Sequence, residues 1–439
     1  MYRVVLALAW PVMAEMALQT LTQMVDMAMV GRLGATSIAA VGLSFRPLFI
    51  GHALFLGLGT AATALVARST GAGERAQADH AATQALASSF ALALSFGVGL
   101  WMWSDGIILA MGGSGDVVAL GGTYLRGLAP GMVCMMMSVI LSSSLRGAGD
   151  TRTPMQVNFV ANVINVIGNY LLIFGHFGFP RLGVFGAAVA TSIARAVALA
   201  FFLTVTIGGG RAVRILPGRL FRPDWDLIGR LFRVGLPAAL NGVVLSVALA
   251  VHLRLVAGLG TVAVAAATLA GNVEQLSFMP ALGFSVAAAA LAGQSLGAGD
   301  PARARAAIWE STKLCSAFMG AMGLAFVLAP AWFLRLFTDD ALVLGPGIDL
   351  LRIVALAQLP TAVGQVLAGG LRGAGDTASV LYITVISTAL CRLSLTFLLV
   401  TRLGYGLNAA WLAVVVDWTL RALLAWWRFA AGNWQHVRV

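Results

Sequence analysis

The sequence predicts an all-α integral membrane protein: twelve transmembrane helices arranged in two pseudo-symmetric six-helix bundles. Three observations predict it. Hydrophobic residues make up 59% of the 439 residues and charged residues only 10%, outside the range of soluble globular chains. Twelve apolar stretches each approach the roughly 20 residues needed to cross a bilayer. The heptapeptide LRGAGDT occurs at 145–151 and again, letter for letter, at 371–377, a separation of 226 residues or about half the chain.

The elements follow in order. The first stretch, about 4–30, starts on one basic residue, Arg3, as a signal peptide does; a signal h-region holds only about 7–15 residues, and this one runs past Asp26 to Val30, so it is the first span. The second and third, about 40–67 and 81–103, flank GAGERAQA; the fourth, about 123–144, carries Met132, Met135, Met136 and Met137 and ends in LRGAGDT. Those methionines suit either an adaptable ligand surface or ordinary membrane packing, the commoner case. The fifth and sixth, about 156–179 and 184–208, precede a connection crowded with Arg211, Arg214, Arg219, Arg222, Arg230 and Arg233. The seventh to ninth, about 234–257, 262–295 and 307–334, include Pro280 and Gly283, which can kink the eighth. The tenth to twelfth, about 347–370, 378–400 and 406–427, contain a mid-span Arg392 with no evident partner and Asp417 spaced for an i,i+4 ion pair with Arg421.

Sliding the chain by 226 residues brings other features into line. GAGERAQA meets GAGDPARA, Pro11 meets Pro237, and GRLG meets AGLG. The expected organisation is an N-terminal six-helix lobe at 1–208, a basic cytoplasmic connection at 209–233 and a C-terminal lobe at 234–439. An offset of six crossings keeps both halves in one orientation, the parallel-repeat arrangement of several transporters. The formal charge of +11 belongs to the even-numbered connections, whereas the third carries Asp105 and Asp116. Positive-inside asymmetry then puts both termini in the cytoplasm, and the basic bias speaks for topology, not for nucleic acid.

The repeated motif reads as a turn: its glycines permit positive backbone angles, and Asp followed by Thr can bond nearby amides or cap the next helix. Two chemical readings compete. GxGD marks intramembrane aspartyl proteases, but GAGD at Asp150, Asp300 and Asp376 falls in expected cytoplasmic turns; a P-loop needs GxxxxGK[ST], which does not precede the only lysine, Lys313. Cys134, Cys315 and Cys391 lie in apolar segments at no ligand spacing, so no disulfide framework or zinc site is expected.

Acids inside the spans are the functional candidates, because a carboxylate in hydrocarbon is costly. Glu15, Gln19, Thr22 and Asp26 form one stripe on the first span at about 100° per residue. Asn162, Asn165 and Asn169 stack on one side of the fifth. Alone these amides would be glue between helices; opposite a carboxylate stripe they suggest a hydrated polar pocket. His252 falls at the position equivalent to Asp26, so the halves are chemically unequal. Glu274, beside the Pro280 kink, suits an ion-coupling role and a packing role about equally.

These residues resemble the multidrug and toxic compound extrusion (MATE) transporters, most nearly the DinF-like branch. The resemblance spans VDMAMVGRLG, LRGAGDT before the fifth and eleventh spans, NVIGNYLLIFG, LSFMPALGFSVAAAALAGQSLGAG and AAWLAVVVDWTLRALL. It implies a twelve-span antiporter of the bacterial inner membrane, exporting amphipathic, often cationic organic compounds against entry of protons or sodium. No cofactor, no nucleic-acid partner and a monomer in the lipid bilayer are expected. Asp26 matches the family's coupling residue, Gln19 a cavity-lining position and Pro11 its kink proline. The branch often pairs an Asn with an Asp four residues on in the fifth span; here those positions are Asn165 and Asn169. A sodium ion held at Asp26, Asn165 and Asn169 would thus lack one charged ligand. The expected sites are Asp26, Asn165, Asn169 and Glu274 for ion coupling, Glu15, Gln19, Thr22 and Asn162 for the substrate cavity, and Pro11 as hinge.

The mechanism these positions suggest is competition at Asp26 between the entering ion and an organic cation. Two alternatives stay open. A flippase for lipid-linked sugars would want several basic cavity residues, for which Arg46, Arg195 and Arg254 are candidates. An intramembrane enzyme lacks HExxH, a G-x-S-x-G elbow and a placed aspartyl pair.

Overall fold

The computed structural model describes residues 1–209, 212–220 and 222–437, and for Arg46 and Ile50 the backbone only; Arg211 of the basic connection lies outside the described residues. Among the described residues twelve helices are long and apolar enough to cross a membrane. They are Tyr2–Gly31, Ala35–Gly71, Arg75–Met102, Asp116–Gly147, Arg152–Phe174, Gly183–Ile207, Trp225–Ala257, Thr261–Gly297, Pro301–Leu328, Ala341–Gly373, Thr377–Arg402 and Leu407–Ala431. The expected fold class and span order are those observed. Short helices at Ser104–Ala110 and Pro330–Arg335 follow the third and ninth spans, and the eleventh contains two π-helical stretches, Val385–Arg392 and Phe397–Arg402.

The seventh helix starts at Trp225, inside the stretch expected to be connection. The Asp224 carboxylate accepts a bond from the Leu227 amide at 3.1 Å, and Asp226 pairs with Arg230 one turn on, so helix is favoured well before the apolar residues begin. Among the described residues the remaining connection is strapped to the third helix by its backbone. Asp79 accepts from the Arg214 amide at 2.7 Å and Thr83 Oγ1 from the Leu216 amide at 3.1 Å. Gln84 donates to the Arg222 carbonyl at 2.8 Å and accepts from the Asp224 amide at 3.2 Å, while His80 Nε2 lies 3.0 Å from the Asp224 carboxylate. That bond is the main reason the Asp224 carboxyl is held below the ordinary aspartate range.

The chain divides into two compact units, Ala14–Gly235 and Met1–Met13 with Leu236–Val439. The first and seventh helices therefore each pass from one unit to the other, just after Pro11 and just before Pro237 respectively. Within each unit, association cannot draw on the exclusion of water and relies on close packing of small residues. The repeated motif supplies it. A Cβ at Gly147 would lie 2.6 Å from the Thr63 carbonyl oxygen; one at Gly373 would run into the carbonyl of Ala289, the residue equivalent to Thr63 at the 226 offset. The second glycine turns the chain, with φ +90° at both Gly149 and Gly375. Asp150 then accepts from the Thr153 amide at 2.9 Å, as a helix cap does, whereas Asp376 takes the Arg428 guanidinium at 2.8 Å.

Apolar cores hold each unit. In Ala14–Gly235 one cluster gathers Leu48, Phe55, Leu100, Ile108, Leu125 and Met136. In the other unit Phe326, Leu350, Leu351 and Trp411 form one cluster, and Phe284, Met319 and Val366 belong to another.

Candidate functional site

The unit Ala14–Gly235 contains two polar cavities that share three lining residues. The smaller, about 30 Å³, is lined by Gln19, Thr22, Gln23, Asp26, Asn162, Asn165, Thr191 and Arg195 among others. The larger, about 100 Å³, has Glu15, Gln19, His52, Ser142, Arg146, Asn158, Asn162 and Arg195 in its wall. Helical periodicity explains the lining: Glu15, Gln19, Thr22 and Asp26 share one face of the first helix, and the three asparagines share one face of the fifth, all three buried.

Asp26 sits among amides. Asn169 Nδ2 donates to its Oδ1 at 2.6 Å. The Asn165 amide is oriented by hydrogen bonding: its nitrogen donates to both Asp26 oxygens, at 3.0 and 3.1 Å, while its oxygen accepts from Thr191 Oγ1 at 3.0 Å. The carboxylate thus faces N–H donors. Asn169 Oδ1, buried, has no partner.

Glu15 stands elsewhere on the stripe and is answered differently. Arg146, the arginine of the first LRGAGDT, places Nη2 2.7 Å from each Glu15 oxygen, and Asn158 Nδ2 donates to Oε1 at 2.7 Å. The side chains are 15% and 7% exposed, so this is a buried ion pair with its lone pairs satisfied. The sequence suggests a rim residue for Arg146; the structure turns it inward. Arg195 borders both cavities and, among the described residues, makes no ion pair or hydrogen bond; Asp26, Glu15 and His52 feel its charge only through space.

Of the candidates, Asp26, Asn165 and Asn169 are brought together, with Thr22 and Asn162 on the same small cavity and Glu15 and Gln19 on the larger. Glu274 belongs to the other unit, where Arg392 acts on it electrostatically. Arg392 finds its partner there in Asp417, at 3.8 Å. Asp417 also pairs with Arg421 at 3.6 Å, the expected i,i+4 pair, and accepts from Thr388 Oγ1 at 2.9 Å. His252 lies 3.3 Å from Thr396 Oγ1 and against Trp411. Of the arginines suggested for a lipid-linked substrate, Arg195 reaches a cavity, Arg254 is exposed, and the Arg46 side chain lies outside the description. Sequence reasoning missed His52, Asn158, Thr191 and the Arg146 contact. Asn158 carries a legible signal, since it lies one turn before Asn162 on the same face of the fifth helix.

Twelve spans in two repeats, with polar cavities inside one unit, define a multi-pass membrane transporter. The MatE family model matches the chain twice, over residues 11–171 and 237–398, starting at the two equivalent prolines. The chain belongs to the MatE family. A probable multidrug resistance protein NorM from Thermotoga maritima is 34% identical over 433 residues, covering 98% of this chain and 92% of that protein. Multidrug resistance protein MdtK of Pectobacterium atrosepticum is 30% identical over 430 residues, 95% and 93% of the two chains. Among solved structures, an outward-facing multidrug resistance MATE family transporter of the MOP superfamily superposes with a TM-score of 0.89 at 26% identity, over 98% of this chain and 96% of that one. A MOP superfamily transporter from Pyrococcus furiosus, described as having a binding pocket of reverse polarity, gives 0.90 at 25% identity over the same shares. Family and fold make the chain a transporter and not an enzyme.

Proposed function

We propose that this chain is a multidrug efflux antiporter, exporting amphipathic organic compounds that carry a cationic group in exchange for protons, with Asp26 as the coupling carboxylate. It works in a plasma membrane with both termini in the cytoplasm. The observation that carries this reading is a cavity-lining aspartate whose hydrogen-bond partners, among the described residues, are neutral amides. Such a carboxylate is free to exchange a proton for an organic cation, which a carboxylate locked to an arginine, like Glu15, is not.

The chemistry around Asp26 favours the proton over sodium. A sodium ion needs oxygen ligands, and here amide nitrogens face the carboxylate while the oxygen of Asn165 is turned to Thr191. A half-turn of the Asn169 amide would present its unpartnered oxygen to the O–H of a protonated Asp26, so neutralisation costs no buried bond. Protonation then removes the charge that holds the organic cation, and deprotonation on the cytoplasmic side restores it. Net export requires that the proton favour one conformation, because equal affinity for both shifts nothing. Bending of the first span at Pro11 is the proposed two-state element.

The test is organic-cation efflux from proteoliposomes under an imposed proton gradient and, separately, a sodium gradient. Wild type should respond to the proton gradient and Asp26→Asn should not. If the two proteins behave alike, Asp26 is not the coupling group and Glu274 is the next carboxylate to test; a response to sodium alone would refute the proton.

A further inference from the structure

Four ionic groups line these two cavities of the unit Ala14–Gly235, and three of them have a direct partner. Glu15 and Arg146 hold each other, and Asp26 is bonded by Asn165 and Asn169. Arg195 is not: among the described residues its guanidinium has no ion pair and no hydrogen bond, although it borders both cavities. Arg392 and Arg421 in the other unit do not stand this way, since they share Asp417. Arg195 is half-buried, and a charged side chain that faces a cavity inside a span without an anion marks a ligand path.

The surroundings of Arg195 add further unused polar atoms. In the larger cavity Ser142 Oγ, His52 Nδ1 and Arg146 Nε are all buried without a partner. The serine hydroxyl and the Arg146 Nε–H can donate, the histidine nitrogen can donate in one tautomer, and Arg195 contributes the fork of its guanidinium. The one carboxylate in that wall, Glu15, is already occupied by Arg146 and Asn158. That wall thus holds several polar atoms without a partner beside the Arg195 guanidinium, which suits a site for an anionic oxygen group. Through Arg195, Gln19 and Asn162 this space adjoins the cavity of Asp26.

We propose that Arg195, with Ser142 and His52, forms an anion subsite next to Asp26, and that the preferred substrates are amphipathic zwitterions: the cationic group goes to Asp26 and a carboxylate to Arg195. This rests on the efflux function proposed above and narrows its substrate class. Such a molecule brings the anion that the fold omits, so substrate-free Arg195 serves as a through-space counter-charge for Asp26 and Glu15.

The test uses a matched dye pair, a rhodamine with a free carboxylate and its ethyl ester, which keeps the cation and loses the anion. Binding to purified full-length protein is read by fluorescence polarisation in wild type, Arg195→Gln, Arg195→Lys, Ser142→Ala and Asp26→Asn. In wild type the acid should bind about tenfold tighter than the ester, the value of one charge-assisted hydrogen bond. Arg195→Gln should abolish that preference while ester binding is retained, Arg195→Lys should keep part of it, and Ser142→Ala should reduce it. Retained ester binding also shows that the variant is folded. Equal binding of acid and ester by wild type overturns the subsite, as does an equal loss of both in Arg195→Gln, which would mark a structural residue. Failure of the parent reading looks different: Asp26→Asn would leave ester binding untouched while the acid-to-ester ratio still follows Arg195. If wild type binds neither dye, both proposals fall.

Discussion

Replacing the first glycine of each LRGAGDT by alanine tests the packing that the repeat encodes. At Gly147 the new methyl would sit 2.6 Å from the Thr63 carbonyl oxygen and 3.1 Å from its Cα. A relaxed carbon–oxygen contact is about 3.3–3.6 Å, so the second and fourth helices must part by roughly 0.7–1 Å. At Gly373 the overlap with the Ala289 carbonyl is deeper, and its Cα and carbonyl carbon lie 2.5 Å away, all backbone atoms that no rotamer can move. Overpacking of this kind costs about 1–3 kcal/mol, with Gly147→Ala at the lower end and Gly373→Ala at or above the upper. Helix propensity offsets at most about 1 kcal/mol, and less at these helix ends. Gly271, inside the eighth helix with nothing within 4 Å of its would-be Cβ, is the control, and Gly271→Ala should be neutral or slightly stabilising. Apparent melting in detergent, followed by tryptophan fluorescence, should fall a few degrees for Gly147→Ala and further for Gly373→Ala, at about 2–4 °C per kcal/mol. A Gly373→Ala protein that melts with wild type, or above Gly147→Ala, would refute the argument.

Glu15→Gln should leave Arg146 buried without its counter-charge and destabilise the protein by about 3 kcal/mol, with the double variant Glu15→Gln/Arg146→Gln recovering part of that; equal melting of single and double variants would mean the two are not coupled. The strap at the third helix has a pH dependence of known sign. Because the Asp224 carboxyl is held below its ordinary range by the His80 bond, its contribution is present above the usual aspartate pKa and fades only as the pH falls through the lowered value. Hydrogen exchange at the Arg214 and Leu216 amides, corrected for intrinsic rate, should therefore be unaffected by Asp224 titration from pH 5 to 8. Asp224→Asn should speed it throughout.

The twelve spans were legible because a span needs only length and hydropathy, both local properties of the sequence. The two polar faces were legible because helical periodicity alone puts Glu15, Gln19, Thr22 and Asp26 on one side, and the three asparagines on another. Partners across helices were not. Arg146 resembled a rim residue, since arginine at a span end usually snorkels to the interface; its link to Glu15 joins residues 131 apart in sequence and has no local signature. The early start of the seventh helix hid for a related reason: capping by Asp224 and the Asp226–Arg230 pair support a helix where hydropathy is low.

The repeat preserves backbone and lets chemistry drift, and the glycine contacts show how. In the first half Gly59 on the second helix meets Ser143 on the fourth; at the 226 offset the pair is inverted, with Ser285 on the eighth helix meeting Gly369 on the tenth. What both halves keep is one small and one hydroxyl side chain at the crossing, whichever helix supplies them, since the close approach constrains their sum. No such pressure acts on the first-span stripe. There Glu15 and Asp26 correspond to Asn241 and His252, and Asn158 corresponds to Thr384. The motif arginine is common to both halves, yet Arg146 meets a carboxylate whereas Arg372 donates to Ser285 Oγ at 3.1 Å. Gly147 and Gly373, which meet a neighbouring backbone, are matched across the repeat. Carboxylates present in one half and replaced by neutral side chains at the same register in the other are therefore not required by the fold, and the cost of burying them is offset by what they do.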